Sequence, residues 1–388
     1  MKLPRSVEMD LNTGVVSVHA PDGSVRSGEL PHIRDAMRES NIRHVRLDFA
    51  ARRLSLVLPN GNEAFAELPW PGQTDSEALG DRRVVHLDQR DWSKLAAARH
   101  GGRPIDRREA SAAEELFELV DAGKIILPIS AAHFVESDRL VGTNRVPLAS
   151  TLLELSRGWQ MRHPVNIGRD ELAAGLGLSQ QLQTGGVYTL APNAAFVRFP
   201  TPNADYPEPL RSVMPAVIAV SGTYDAVIDA SPAKDEGAED AQAAWVEDHE
   251  KLVALFEADG ASRNEIRRAA IGRQLVTAAE HLMRESNLDP RNVGAWLLAT
   301  WLANVEQHVA TMPYLSRVSQ VHFVRLRNRS SWHPNDLLDI YNLSAAAGYA
   351  HIVVGEKRTI GDLRTVKNVL PGAELVTSMA AAVALLKS

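Results

Sequence analysis

Carboxylates that follow predicted strands are the residues of this sequence best suited to chemistry. Asp88 ends the apolar run VVHLD, and Glu356 ends the run AHIVVGE near the other end of the chain. Glu136 lies in a helical pattern that follows the predicted strand KIILPIS. Because ligands of an open parallel sheet gather outside the carboxyl ends of its strands, these three acids are expected to converge on one site.

A pair of aspartates adds to this set. Asp336 and Asp339 are three residues apart at the start of a predicted helix, so they share one face of it. Like charges that are held together cost free energy unless a cation or a proton compensates them. Hard oxygen ligands favour Mg²⁺ or Mn²⁺, which predicts a metal site, whereas Asp336 also fits the ordinary role of a helix cap.

The elements that would position these acids form an α/β pattern in two separate stretches. Residues 81–165 alternate between strand and helix, which predicts a parallel sheet covered by helices. Residues 312–388 continue the pattern with the strand VHFVRL, the helix NDLLDIYNLSAAAG with a glycine stop, the strand AHIVVGE and the helix AAAVALLK. The sequence therefore predicts one α/β domain that is split by a mainly helical insertion, residues 166–311.

The N-terminal stretch, residues 1–80, has a different pattern. Alternating segments flank Asn12-Thr13-Gly14 and Asn60-Gly61, and Asn-Gly between such segments is a strong hairpin signal. These residues are predicted to form a small β-rich domain ahead of the α/β domain.

Composition excludes several classes of protein. The chain has no cysteine, so disulfides, thiol nucleophiles and cysteine zinc sites are ruled out. No HExxH motif, P-loop or dinucleotide fingerprint is present, which disfavours zinc hydrolases and these nucleotide folds. The start of the sequence lacks the apolar core of a secretory signal and no apolar run is long enough for a membrane helix, so we expect a cytoplasmic protein with no membrane contact.

The net charge requires a local basic patch if the protein binds nucleic acid. The 388 residues carry 48 acids against 42 lysines and arginines, a net charge of −6. Residues 313–333 contain no acid, and Arg325, Arg327 and Arg329 in this segment are candidates for phosphate contacts. The alternative for these arginines is a solvated strand edge.

Three segments together resemble the PIN-like nuclease superfamily, in particular bacterial members with a long helical insertion. These segments are VVHLDQRDW, ILPISAAHFVES and SWHPNDLLDIYNLSAAAGYAHIVVGEK, and the resemblance covers about 150 residues. It implies a PIN-like, Rossmann-like parallel sheet with helices on both faces. It also implies a metal site that draws on five acids, four of which are catalytic. Asp336 is the acid left out of the catalytic set, because counting back from the closing strand favours Asp339 as the ligand. The five acids are Asp88, Glu136, Asp336, Asp339 and Glu356.

The resemblance implies a function as well. PIN-like proteins are typically Mg²⁺- or Mn²⁺-dependent endoribonucleases that hydrolyse phosphodiester bonds, with roles as toxins, in defence against phage or in RNA processing. Two alternatives stay open: a structure-specific DNA nuclease, and a non-catalytic PIN-like module that binds nucleic acid or protein. Residues 1–80 and the insertion are expected to supply contacts to the substrate or to a protein partner.

Overall fold

The structure is a computed structural model of the chain. It describes residues 4–31, 34, 42–58, 61, 63–68, 73–138, 145–191, 193–197, 236–285, 289–366 and 369–388, with isolated positions between 217 and 227. The fold is mixed α/β, with an antiparallel sheet near the N-terminus and a parallel sheet built from two distant parts of the chain.

The N-terminal sheet has six antiparallel strands in the order β3-β2-β1-β4-β5-β6. The strands are β1 (Ser6–Asp10), β2 (Val15–His19), β3 (Val25–Glu29), β4 (His44–Asp48), β5 (Arg53–Val57) and β6 (Glu63–Glu67). Asp10 pairs with Val15 and Val57 pairs with Glu63, so both predicted hairpins are confirmed. Gly14 supplies the positive φ of the first turn, at 75°, while Asn60 lies outside the described residues.

Two further sheets follow. Their strands are β7 (Arg83–Leu87), β8 (Ile125–Ile126), β9 (Gln160–Met161), β10 (Tyr188–Thr189), β11 (Ile352–Val354) and β12 (Glu374–Val376). Strands β9 and β10 form an antiparallel pair, and the other four form the parallel sheet β12-β11-β7-β8. Leu87 pairs with Val354 across β7 and β11, which confirms that the two α/β stretches contribute to one sheet.

Helices make up most of the remaining described chain. In order they are α1 (Asp75–Leu79), α2 (Gln89–His100), α3 (Arg107–Asp121), α4 (Ala131–Asp138), α5 (Arg145–Ser156), α6 (Pro164–Gly175), α7 (Thr184–Val187), α8 (Glu236–Ala258), α9 (Arg263–Glu285), α10 (Pro290–Ala310), α11 (Pro313–Arg327), α12 (Pro334–Tyr349), α13 (Lys357–Arg364) and α14 (Met379–Lys387). In the described part of the chain, no helix is both long enough and apolar enough to cross a membrane.

Side chains of β7 point alternately into two hydrophobic clusters. Val85 and Leu87 pack in the cluster that contains residues of α2, α3 and α14, whereas Val84 packs in the cluster that contains residues of α11 and α12. Helices therefore cover both faces of the parallel sheet, as short and almost wholly apolar parallel strands require.

The prediction of a strand over VHFVRL is wrong, because these residues belong to helix α11. Polar residues of α11 such as Arg317, His322 and Arg325 are buried together with the apolar ones, so polarity does not mark one exposed face of the helix. Its N-terminus is stabilised by another part of the chain: the Glu171 carboxylate accepts the backbone N–H of Tyr314 at 2.7 Å and of Leu315 at 2.8 Å. Tertiary contacts thus override the β propensity of the valines and the phenylalanine.

Two other details differ from the sequence prediction. Gly348 does not stop helix α12 but lies inside it, where a Cβ would approach the carbonyl carbon of Pro313 to 3.1 Å. The glycine therefore permits the close approach of α12 to the first turn of α11. Strand β12 is not predicted from the sequence. Because β12 is present, the strand that precedes Glu356, β11, is not the last of the sheet and pairs with β12 on one side and β7 on the other.

Candidate metal centre

Asp88 is held rigidly at the carboxyl edge of the parallel sheet. It follows β7 directly and is the N-cap of α2, where its side chain accepts the backbone N–H of Gln89 at 2.7 Å. Its own backbone N–H donates to the carbonyl of Val354 at 3.0 Å. The end of β11 and the start of α2 together fix the position of this carboxylate, which is 8% exposed.

Two further acids lie beside Asp88. Glu136 belongs to α4, which follows β8, and Asp339 belongs to the second turn of α12. One carboxylate oxygen from each of the three acids lies within 4.8 Å of the other two. The structure thus brings together Asp88, Glu136 and Asp339, which we call the acidic triad.

The pKa values of two triad members are raised. Burial, followed by the charges of Asp91 and Glu356, raises the pKa of Asp88 from 3.8 to about 6. Burial and the charges of Asp88, Glu356 and Asp336 raise the pKa of Asp339 from 3.8 to about 7. The site therefore favours a compensating positive charge, in the form of a cation or a bound proton.

A hydrogen bond joins the two helices that carry Asp88 and Glu136. The side-chain amide of Gln89, next to Asp88, donates to the hydroxyl of Ser137, next to Glu136, at 3.0 Å. Both residues are buried, with Ser137 fully so. This bond fixes the first turn of α2 against the end of α4, and with it the separation of the two acids.

His133 connects α4 to the end of strand β7. Its Nδ1 accepts the backbone N–H of Ser130 at 2.8 Å, so the ring proton is on Nε2, which donates to the carbonyl of Leu87 at 2.9 Å. Burial lowers the pKa of His133 to about 4, and the ring is neutral near pH 7. His133 therefore supports the position of the triad and is not a general acid near pH 7.

Asp336 lies in a different environment from the triad. Its carboxylate contacts Nη1 of Arg325 at 2.8 Å and Nη1 of Arg358 at 3.4 Å, and it accepts the backbone N–H of His333 at 2.8 Å. It is only 5% exposed. Its predicted metal role does not fit this placement, because two guanidinium groups and a helix N-terminus already compensate its charge.

Glu356 is close to the triad without being part of it. It is the N-cap of α13 and is exposed, and its side chain forms no capping bond. Its charge raises the pKa of both Asp88 and Asp339, which places its carboxylate near theirs. Glu356 is an outer acid at the same edge of the sheet.

The three predicted phosphate-binding arginines have separate environments. Arg325 is 1% exposed and contacts Asp336 and Asp362, so its predicted role does not fit a side chain with no surface to offer a phosphate. Arg327 is exposed at the end of α11. Arg329 is also exposed, and its Nε contacts Oε1 of Glu257 at 2.8 Å.

Asp91 is a neighbour of the triad that the sequence reasoning misses. It is fully buried, one turn beyond Asp88, and its carboxylate contacts Nζ of Lys94 at 2.6 Å. Lys94 also contacts Glu109 at 2.9 Å. The spacing of Asp88 and Asp91 by three residues at a helix start is the available signal, since it places both acids on one face.

The donor set fits a hard divalent cation. All three triad ligands are carboxylates, and neither Asp88 nor Asp339 forms an ion pair with a lysine or arginine in the described ranges. Oxygen ligands of this kind suit Mg²⁺ and Mn²⁺, which keep several waters when only a few carboxylates hold them.

Comparison with known proteins gives no relative: no family model, curated protein or solved structure matches this chain.

Proposed function

We propose that this protein is a metal-dependent nuclease that cleaves RNA internally at a Mg²⁺ or Mn²⁺ site formed by the acidic triad. The observation that carries the proposal is the meeting of Asp88, Glu136 and Asp339 at the carboxyl edge of a parallel sheet, where burial and the charges of neighbouring acids raise the pKa of two of them. Such perturbed, clustered acids are typical of functional sites.

Each acid has a role that follows from its placement. Asp88 is oriented by the N–H of Gln89 and is the best-fixed ligand, whereas Glu136 and Asp339 complete the oxygen set from two other helices. Glu356 is exposed beside them and is assigned as the acceptor of the proton that the attacking water loses. A divalent cation bound here would lower the pKa of a bound water and neutralise charge on the phosphate oxygens.

The choice of RNA as the substrate comes from the sequence resemblance to PIN-like nucleases, as does the PIN-like identity of the split sheet. The same resemblance suggests a role as a toxin, in defence or in RNA processing. The two rival functions, a DNA nuclease and a non-catalytic binding module, predict different results in one experiment.

That experiment compares labelled single-stranded and structured oligonucleotides of RNA and DNA in Mg²⁺, Mn²⁺ and EDTA. We expect wild type to cleave RNA only with a metal, and Asp88→Asn and Asp339→Asn to lower the rate by about 100- to 1,000-fold. The control is Asp259→Asn, which changes an exposed acid at the end of α8 and should leave the rate unchanged. Circular dichroism would establish that each variant is folded.

Three outcomes would contradict the proposal. Cleavage of DNA but not RNA would establish the DNA nuclease. Cleavage of neither nucleic acid, together with Mn²⁺ binding by wild type in a calorimetric titration, would favour the non-catalytic module. Cleavage that persists in EDTA, or in both triad variants, would remove the triad from the chemistry.

A further inference from the structure

A second candidate site is a cavity of about 530 Å³ that is lined by four arginines. Arg263 and Arg267 come from α9, Arg327 from the end of α11 and Arg364 from the end of α13. None of these residues belongs to the acidic triad or contacts it in the described structure. The cavity is therefore a separate feature, and a ligand bound there is independent of the proposed function.

Three of the guanidinium groups gather around one aromatic ring. The guanidinium carbons of Arg267, Arg327 and Arg263 lie 4.8, 5.6 and 5.8 Å from the ring centroid of Phe323. Phe323 is 2% exposed, so the ring is a covered floor rather than a free stacking surface. Its negative face offsets part of the repulsion between the cations.

Few acidic side chains contact these four arginines in the described structure. Arg267 contacts Glu306 at 3.1 Å, and this is the one ion pair of the four arginines among the described residues. Arg327 bonds to the neutral side chain of Asn328 and Arg364 to the backbone carbonyl of Leu375. In a chain with a net charge of −6, the cavity thus holds an excess of positive charge.

Arg267 also has an unused donor. Its Nε is buried and has no hydrogen-bond partner in the described structure. A buried guanidinium N–H without a partner costs free energy, and so does the crowding of like charges. An anion in the cavity would offset the crowding of these like charges.

We propose that this arginine cavity binds a compact ligand that carries two or more linked phosphate groups. Guanidinium groups donate in a planar fork that matches phosphate oxygens, and four of them from three helices exceed what one small anion needs. The volume lies within the range of small-molecule sites. The four guanidinium groups line one pocket of limited volume rather than a stripe along the surface, which favours a compact ligand over a nucleic-acid chain.

The test is isothermal titration calorimetry of the full chain with inorganic tripolyphosphate, orthophosphate and ATP. All titrations are done without divalent cations, so that the acidic triad takes no part. We expect tripolyphosphate to bind at least tenfold more tightly than orthophosphate. Arg267→Gln and Arg327→Gln should each weaken tripolyphosphate binding at least tenfold, while Arg268→Gln, an exposed arginine on α9 outside the cavity, should not change it.

The ATP titration distinguishes the two sources of linked phosphates. Tighter binding of ATP than of tripolyphosphate would identify a nucleotide site, and equal or weaker binding would identify a site for the phosphate chain alone. The proposal is overturned if wild type binds no tripolyphosphate, if orthophosphate binds equally well, or if the cavity variants bind as wild type does. Loss of RNA binding in these variants, with no tripolyphosphate binding by wild type, would assign the arginines to a nucleic-acid surface instead.

Discussion

Two aspartates on one helix should respond in opposite ways to the same substitution. Asp336 contacts Arg325 and Arg358, whereas Asp339, three residues later, is surrounded by the charges of Asp88 and Glu356. We expect Asp339→Asn to stabilise the metal-free protein and Asp336→Asn to destabilise it. The two changes are chemically identical and lie one turn apart, so each serves as the control for the other.

The structure gives the size of both effects. The pKa of Asp339 rises from 3.8 to about 7, and one pKa unit corresponds to about 1.4 kcal/mol. Because the side chain is partly exposed, solvent screening reduces this penalty, and we expect Asp339→Asn to raise the free energy of unfolding by about 1–2 kcal/mol. In Asp336→Asn the buried Arg325 keeps only Asp362 as an ionic partner, and we expect a loss of about 2–4 kcal/mol.

Urea unfolding at about pH 8 in EDTA measures these differences, because the pKa of Asp339 is about 7 and its carboxyl group is then mostly ionised in the wild type. Repeating the measurement with Mn²⁺ tests the metal site. A cation present at a concentration of 100 times its dissociation constant adds about 3 kcal/mol to the free energy of unfolding of wild type. Asp336→Asn should keep most of that gain, and Asp339→Asn should lose most of it.

A clear result would refute this reasoning. If Asp339→Asn is less stable than wild type in EDTA and gains as much from Mn²⁺, then Asp339 is a structural residue. This result would contradict the proposal that the triad binds a metal ion. If both variants are destabilised equally, the contrast between their charge environments has no energetic effect.

Three further expectations test the surroundings of the triad. In EDTA, the free energy of unfolding of wild type should rise relative to that of Asp88→Asn/Asp339→Asn as the pH falls from about 8 to about 4, because Asp88 and Asp339 have raised pKa values in the folded state and take up protons there first. Urea unfolding of both proteins across this range measures the difference, and a difference that does not change with pH would contradict the raised pKa values. Ser137→Ala removes the 3.0 Å hydrogen bond from Gln89 and should lower the free energy of unfolding by about 1 kcal/mol, measured with urea. It should also weaken Mn²⁺ binding several-fold, measured by calorimetry. Unchanged Mn²⁺ affinity would show that Ser137 does not position the triad. Gly348→Ala should destabilise the protein by about 1–3 kcal/mol, because the new Cβ meets the backbone of α11. Gly294→Ala, where a Cβ would have no atom within 4 Å, should instead stabilise the protein by up to about 1 kcal/mol. Equal melting temperatures for the two variants would contradict the close packing at Gly348.

Features with local signals could be predicted from the sequence. The hairpins at Gly14 and Gly61 depend on turn residues next to each other in the chain, and the strands that end near Asp88 and Glu356 are short apolar runs with flanking helices. Parallel pairing then brings their carboxyl ends to one edge of the sheet, which is why three of the predicted acids meet although more than 200 residues separate Glu136 from Asp339.

Features that depend on distant partners could not be predicted. The sequence predicts a strand in place of helix α11 because the N-terminus of this helix is stabilised by Glu171, more than 140 residues earlier. It predicts a surface role for Arg325 because nothing near this residue in the chain indicates that Asp336 and Asp362 enclose its guanidinium group. In each case an acidic side chain makes a contact that the linear sequence does not display.

The arrangement of charge on α12 argues that the triad serves a ligand rather than the fold. The folded chain compensates Asp336 fully, with two guanidinium groups and a backbone N–H. It does the reverse for Asp339, which faces acids from the ends of two other elements. A purely structural residue would gain stability from the compensation that Asp336 receives, and a neutral side chain at position 339 would avoid the repulsion altogether. The repulsion therefore has its simplest explanation in a cation that Asp339 binds together with Asp88 and Glu136, at a cost in stability of the kind that active sites commonly carry.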